Sequence, residues 1–288
     1  MKNILELQQV SKTFPKSSFM LENVTFSLPY GAILGFVGEN GAGKTTTIGC
    51  ILNTIAKNSG TIKLFGREMS DADTEMREKI GVVYDGDNFP AYWTAKQLSQ
   101  VMAGIYTQWD DALFQKYLEE FHLSAAQKIK DYSRGMTMKL AIAAALSHHP
   151  QLLILDEATS GLDPVMRDEM LDVFLEFVQE ESHSILLSSH ITSDLEKIAD
   201  YITFIHNGKS IMTVSKNDLA YNYAVMRCKE SQFSALDSCD IIAYRKRDFQ
   251  IDVLVSNGKE AQRKYKNIVI DHTSIDEITL LLMKGERV

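Results

Sequence analysis

The stretch GENGAGKTT (38–46) has the residue types and spacing of a phosphate cradle, G-x-x-x-x-G-K-[ST], with Gly38, Gly43, Lys44 and Thr45 in the defining places. Such a loop must turn backbone N–H groups into a concavity that holds phosphate oxygens, and glycines permit the dihedrals and close approach this requires. A helix that follows presents its positive N-terminal end to the anion. Lys44 can reach the terminal phosphates, and the Thr45 hydroxyl can ligate Mg²⁺. A second run, LLILDE (152–157), ends in two adjacent carboxylates. Successive strand side chains point opposite ways, so Asp156 and Glu157 divide the work: one supports a metal ion and the other faces an attacking water. SSH (188–190) ends a third apolar run and puts His190 where parallel sheets gather functional residues. His148 and His149 are adjacent, do not share a helix face, and read as helix-end residues rather than metal ligands.

These groups need a sheet to bring them together, and the sequence supplies one. ILGFV (33–37) is a continuous apolar run that suits a buried parallel strand, LLILD (152–156) is a second buried strand, ILLSS (185–189) is the next one, and TIKLF (61–65) and IGVVY (80–84) are two more strand candidates. Residues 3–9 and 21–28 read as earlier strands, and 202–214 as a hairpin turning at Asn207-Gly208. Helical periodicity over 94–125 and 134–148, and helices near 165–181 and 192–199, alternate with the strands, which predicts an α/β fold with a mostly parallel sheet. The block 92–149 reads as helical throughout and inserted into that sheet. Acidic residues outnumber basic ones 27 to 18 in 1–215, against 11 and 12 in 216–288, which places a domain boundary near 215. Beyond it, strands near 223–228, 240–244 and 249–255 suggest a small α+β appendage.

A net charge of −8 over 288 residues argues against a partner in nucleic acid. Three cysteines without metal-ligand spacing fit a reducing compartment. The N-terminus lacks a signal pattern, and the longest apolar stretch, at 140–147, is far below the roughly 20 residues of a membrane span, so the chain is expected to be soluble by itself.

The order of these elements resembles the ABC ATPase family. YSRGM (132–136), about twenty residues ahead of LLILDE, is similar to the family's signature; SGLD (160–163) is similar to its D-loop; and Phe14 in SKTF stands where the family stacks an aromatic on adenine. The resemblance covers 1–215. It implies a P-loop ATPase fold with N-terminal antiparallel strands, a helical subdomain at 92–149 and an accessory domain at 216–288. It implies ATP and Mg²⁺: Gly38, Asn40, Gly41, Ala42, Gly43, Lys44, Thr45 and Thr46 around the triphosphate, and Thr45, Asp85 and Asp156 at the metal. Glu157 then polarises water and His190 touches the γ-phosphate. Ser133 and Gly135 contact the nucleotide of a second ATPase subunit, identical or not, and the pair works at the cytoplasmic face of the membrane beneath a separate membrane-spanning subunit.

Three motifs depart from the family pattern. Asp85 stands at the Q-loop glutamine, so the metal contact expected there is altered. Arg134 and Met136 replace a glycine and a glutamine of the signature, and Ala158 a proline. Together with SIDEI (274–278), these departures look like a bacterial subgroup of ATPase subunits that serve exporters of antibiotics, antimicrobial peptides and phenol-soluble modulins. Only 89 positions separate Lys44 from Ser133, too few for the long coiled coils of chromosome-maintenance members, and no N-K-x-D or T-K-x-D motif marks a GTPase. The rival of another class is a regulatory ABC ATPase that senses ATP without turnover; Glu157 and His190 oppose it. Phe89, Tyr92 and Trp93 form an aromatic cluster with two readings: it helps a membrane partner's helix dock in a groove near 85–105, or it folds inward against the helices as core. Arg245-Lys246-Arg247 and Arg263-Lys264-Tyr265-Lys266 read as solvated surface.

Overall fold

Apolar runs of five or six residues that lack polar alternation must be covered on both sides, and that requirement shapes the molecule. The computed structural model describes residues 2–86 and 88–287. Along the chain come β1 (Asn3–Thr13), β2 (Met20–Pro29), β3 (Ile33–Val37), α1 (Lys44–Ile51), β4 (Ser59–Leu64), α2 (Thr74–Glu78) and β5 (Ile80–Val83). A helical block follows: α3 (Ala95–Ile105), α4 (Asp111–Glu120) and α5 (Arg134–Leu146). The chain then returns through β6 (Leu152–Asp156), α6 (Pro164–Phe177), β7 (Ser184–Ser189), α7 (Thr192–Ile198), β8 (Tyr201–His206) and β9 (Lys209–Ser215). It ends with α8 (Lys216–Asn222), β10 (Ala224–Cys228), α9 (Glu230–Phe233), β11 (Ala243–Lys246), β12 (Ile251–Val255), α10 (Gly258–Lys264), β13 (Val269–His272), α11 (Ile275–Lys284) and β14 (Glu286–Arg287).

The central sheet has the order β5-β6-β7-β3-β8-β9, parallel except for β9. Alternate residues of its strands feed two cores. Ile33, Val37, Leu153, Leu155, Ile185 and Leu187 pack on the helical side, whereas Leu34, Phe36, Leu152, Ile154 and Leu186 pack toward α1 and the antiparallel sheet β2-β1-β4. The β8–β9 hairpin turns where expected, with Asn207 and Gly208 both at positive φ (47° and 74°).

The helical block differs from a continuous helical reading. Residues 121–133 are irregular apart from one short 3₁₀ turn at Ile129–Asp131, and backbone bonds from Ile129 to Trp93 (2.8 Å) and from Lys130 to Ala91 (2.7 Å) hold them. The helices start on side-chain caps that satisfy otherwise unpaired N–H groups: Thr94 with Gln97 in a capping box, Asp110, Ser133, and Asp163 ahead of Pro164.

Residues after 223 build an antiparallel sheet, β13-β10-β12-β11-β14, in which β11 falls at 243–246 rather than 240–244. One face carries its own core of Met226, Ile251 and Val253. The other face, with Ile275, Ile278, Leu281 and Leu282 of α11, joins the helical-side core through Leu195 and Ile198 of α7.

Candidate nucleotide site

Parallel order sets the ends of β3, β6 and β7 side by side: Val37 is in register with Ser189, and Asp156 with Ser188. Everything that leaves these three strand ends therefore converges on one edge, which is where the glycine loop, the paired carboxylates and His190 lie.

The loop after β3 is shaped by its glycines. A Cβ at Gly38 would stand 2.6 Å from the Ile205 carbonyl oxygen, and Gly43 caps α1 at φ 114° with the Leu21 side chain close behind it. Gly41, also at positive φ, has open space in front of it. The first-turn amides of α1 have no helical acceptor and face a cavity of about 240 Å³ lined by Phe19, Asn40, Gly41, Gly43, Lys44, Thr45, Thr46 and Glu157. Gly38 and Ala42 shape the loop without lining that cavity.

Inside it, Lys44 is only 5% exposed; its ammonium donates to the Gly38 carbonyl at 2.6 Å and lies 3.0 Å from Glu157 Oε1. That oxygen is buried and, beyond this ion pair, has no hydrogen-bond partner among the described residues. Glu157 Oε2 meets His190 Nδ1 at 2.6 Å. Glu157 itself sits at φ 55°, a left-handed backbone uncommon outside glycine, held by its N–H bond to the Ser188 carbonyl at 3.0 Å. Such strain costs on the order of 1–3 kcal/mol and gathers at functional sites. Here it turns the carboxylate back toward Lys44 and His190. Asp156 accepts from Thr45 Oγ1 at 2.7 Å and from Ser188 Oγ at 2.6 Å. Thus two adjacent carboxylates have separate surroundings, as strand alternation predicts.

The structure brings together Lys44, Thr45, Asp156, Glu157 and His190, and leaves four sequence-selected residues elsewhere. Phe14 is half-buried behind Phe19 (ring centroids 6.4 Å apart), and Phe19, which sequence reading missed, lines the cavity. Ser133 is exposed and spends its hydroxyl on the Met136 N–H at the start of α5. Gly135 is buried, with Met166 where a Cβ would go. Asp85 is outside the cavity lining and accepts from Arg134 Nη2 at 2.7 Å. Ser188 was legible only as part of a strand, because its bond to Asp156 depends on a neighbour 32 residues away.

Other flagged groups have structural partners. His148 is buried, stacks on Tyr106 at 4.0 Å and reaches the Ile80 carbonyl at 3.2 Å, and burial lowers its basicity. Lys246 pairs with Glu230, Arg247 with Asp252, and Lys264 with Asp237 and Asp240. Tyr92 is 73% exposed beneath Lys130, while Phe89 and Trp93 pack against the core. Phe89 also lines a groove of about 510 Å³ with Asp85, Ile129, Lys130, Tyr132 and Arg134.

A glycine-loop cradle on a parallel sheet, with a strand-end carboxylate bonded to the loop's threonine, defines a P-loop nucleoside triphosphatase. Residues 21–160 match the ABC transporter family profile. The bacitracin transport ATP-binding protein BcrA of Bacillus licheniformis is 35% identical over 73% of this chain and 69% of its own length. The lantibiotic transport ATP-binding protein SrtF of Streptococcus pyogenes is 35% identical over 73% of this chain and 90% of its own. A solved ATP-binding subunit of an ABC transporter superposes with a TM-score of 0.68 at 27% identity, covering 75% of this chain and 91% of that one. This chain belongs to the ABC transporter ATP-binding proteins. It is an ABC-type ATPase, with the α/β fold expected of one. No helix among the described residues is long and apolar enough to cross a membrane.

Proposed function

We propose that this chain hydrolyses ATP as one of a pair of ATPase subunits that power a separate membrane-spanning subunit from the cytoplasmic face, for export of a peptide or amphipathic toxic compound. The observation that carries the catalytic reading is Lys44 and Glu157 meeting in the lining of the cavity at the α1 N-terminus, with His190 bonded to the other oxygen of Glu157. The export reading rests on relatives whose names assign them to bacitracin and lantibiotic transport.

In this reading the first-turn amides and Lys44 bind the β- and γ-phosphates, and Lys44 exchanges its contact with Glu157 for the anion. Glu157, freed on that side and steadied by His190 on the other, accepts hydrogen bonding from a water aimed at the γ-phosphorus. His190, 45% exposed on its side chain, reaches the γ-phosphate from beside Glu157. The Thr45 hydroxyl and the Asp156 carboxylate, 2.7 Å apart, form an all-oxygen donor set that suits Mg²⁺, which commonly takes one carboxylate and fills its shell with phosphate oxygens and water. When bound, the ion would neutralise phosphate charge as the leaving oxygen develops. Phe19 offers the aromatic surface at the cavity mouth, with Phe14 behind it. Ser133 and Gly135 meet the partner's nucleotide, the groove near Asp85 and Phe89 receives a short helix of the membrane subunit, and 216–288 acts as an accessory unit.

The experiment is co-purification of the chain with a candidate membrane-spanning protein taken from its neighbouring genes, followed by ATPase assay with and without that protein. We expect association and a change in turnover. A chain that neither associates nor changes its turnover rules out the transport role, and a chain that binds ATP without any turnover would make it a sensor.

A further inference from the structure

One arginine ties together three segments around the candidate site. Arg134 is the first residue of α5, and its guanidinium donates to Asp85, two residues beyond β5, at 2.7 Å. The same guanidinium lies on the backbone of Gly161: a Cβ there would meet its Cζ and Nη1 at 2.7 Å, and Gly161 is at φ 72°. Gly161 is in the loop that runs from Glu157 to α6. The helical block, the β5 loop and the loop carrying Glu157 therefore meet on one side chain.

Stability does not account for this arrangement. Arg134 and Asp85 are 55% and 45% exposed on their side chains, and ion pairs so open to water contribute little. A cation in the first turn of a helix also opposes the helix dipole, and no acidic residue stands in that turn of α5 to offset it. What the position does provide is reach, since a planar guanidinium can bind a carboxylate on one edge while its face covers a glycine backbone.

We infer that Arg134 and Asp85 are a positioning pair for hydrolysis, which sets the loop behind Glu157 against α5, and that Asp85 serves as the arginine's anchor rather than as a ligand of Mg²⁺. This rests on the reading of Glu157 as the group that polarises water. Both residues also line the groove with Phe89 and Tyr132, so an occupant of that groove touches the pair directly.

The test is steady-state ATPase kinetics of the full chain and of Asp85→Asn, Arg134→Gln and the double variant, with ATP and Mg²⁺ titrated separately. Each single variant should lower kcat by about 3- to 10-fold, with KM and the half-saturating Mg²⁺ concentration unchanged. The double variant should lose no more than the worse single one, because both substitutions remove the same contact. Melting temperatures should stay within about 2 °C of the parent. A raised Mg²⁺ requirement confined to Asp85→Asn, losses that multiply in the double variant, or unchanged kcat in both singles would each overturn the pairing. Glu157→Gln, assayed alongside, separates the two readings: near-normal turnover there breaks the assignment of Glu157, while the non-additivity reports on the pair by itself.

Discussion

Two clusters of charge are folded into this chain, one around Lys44 at the edge of the central sheet and one around Arg227 on the C-terminal sheet. Arg227, on β10, holds Asp252 at 3.0 Å, Asp271 at 3.1 Å and Glu277 at 2.5 Å, and the buried Asp252 also takes Arg247 at 2.8 Å. Arg227 and Asp252 are cross-strand neighbours in register, so the sheet itself delivers the pair. Every charge there has partners on fixed strands or on α11, and the cluster has nothing left to offer a ligand. Around Lys44 the arrangement is different. Glu157 Oε1 is buried with no hydrogen-bond partner among the described residues beyond its ion pair with Lys44, the Glu157 backbone is strained, and the cluster faces a cavity. Saturated charges knit a fold together, whereas charges left short of partners beside open space are ready for a substrate.

The largest effect that would break this contrast is chemical. Glu157→Gln keeps shape and removes charge, so turnover should fall by about 10²–10⁴-fold, as for a lost general base, with the fold intact by circular dichroism. Near-normal turnover would return Glu157 to a structural role. At the other cluster, Arg227→Met should cost about 2–4 kcal/mol of stability in denaturant titration, because it removes the cation shared by Asp252, Asp271 and Glu277 and leaves the buried Asp252 with Arg247 and Gln250 alone. ATPase activity per folded molecule should hardly change, and a selective loss of turnover would mean the C-terminal cluster acts on the site.

Acid sharpens the same comparison. Burial raises the Asp252 carboxyl, but hydrogen bonds from Gln250 and Arg227 and the charges of Arg227 and Arg247 outweigh it and hold Asp252 below its usual range. A depressed carboxylate contributes stability above its unfolded value, about pH 4, and that contribution is lost as pH falls through the folded value. Denaturation midpoints measured from pH 6 to pH 3 should therefore fall less steeply in Asp252→Asn than in the parent. The smallest effect concerns the base: Phe19→Ala should weaken ATP binding by about 1 kcal/mol and Phe14→Ala by less, since Phe19 lines the cavity and Phe14 backs it. The reverse order, by fluorescence titration, would restore Phe14 as the stacking residue.

The parts of the site that are local in sequence are legible in the sequence alone. Gly38 to Thr46 carry their geometry in their own spacing, and the ends of β6 and β7 follow from apolar runs that stop at polar residues. Contacts made across distance were not legible. Ser188 on Asp156 and Arg134 on Asp85 span 32 and 49 residues and depend on strand order and on where the helical block lands. Phe19 sits in the β1–β2 loop, whose path no periodicity reports, and the family resemblance points instead to Phe14, five residues earlier. In the C-terminal portion strands were visible as apolar runs, but α11, with Ser274 as its cap and a face shared with α7, went unplaced because its packing partner is 80 residues upstream in the chain, about the span of the Ile275–Glu196 bond (79 residues).

The claim that the cradle around Lys44 is a magnesium–triphosphate site is tested most directly by calorimetric titration of ATP into Glu157→Gln and into Glu157→Gln with Lys44→Ala. The account predicts saturable binding by the first protein that weakens when Mg²⁺ is chelated, and a further loss of about 10- to 100-fold without the lysine, the worth of one charged hydrogen-bonding contact to phosphate. Equal affinity in the two proteins, with or without Mg²⁺, would contradict it.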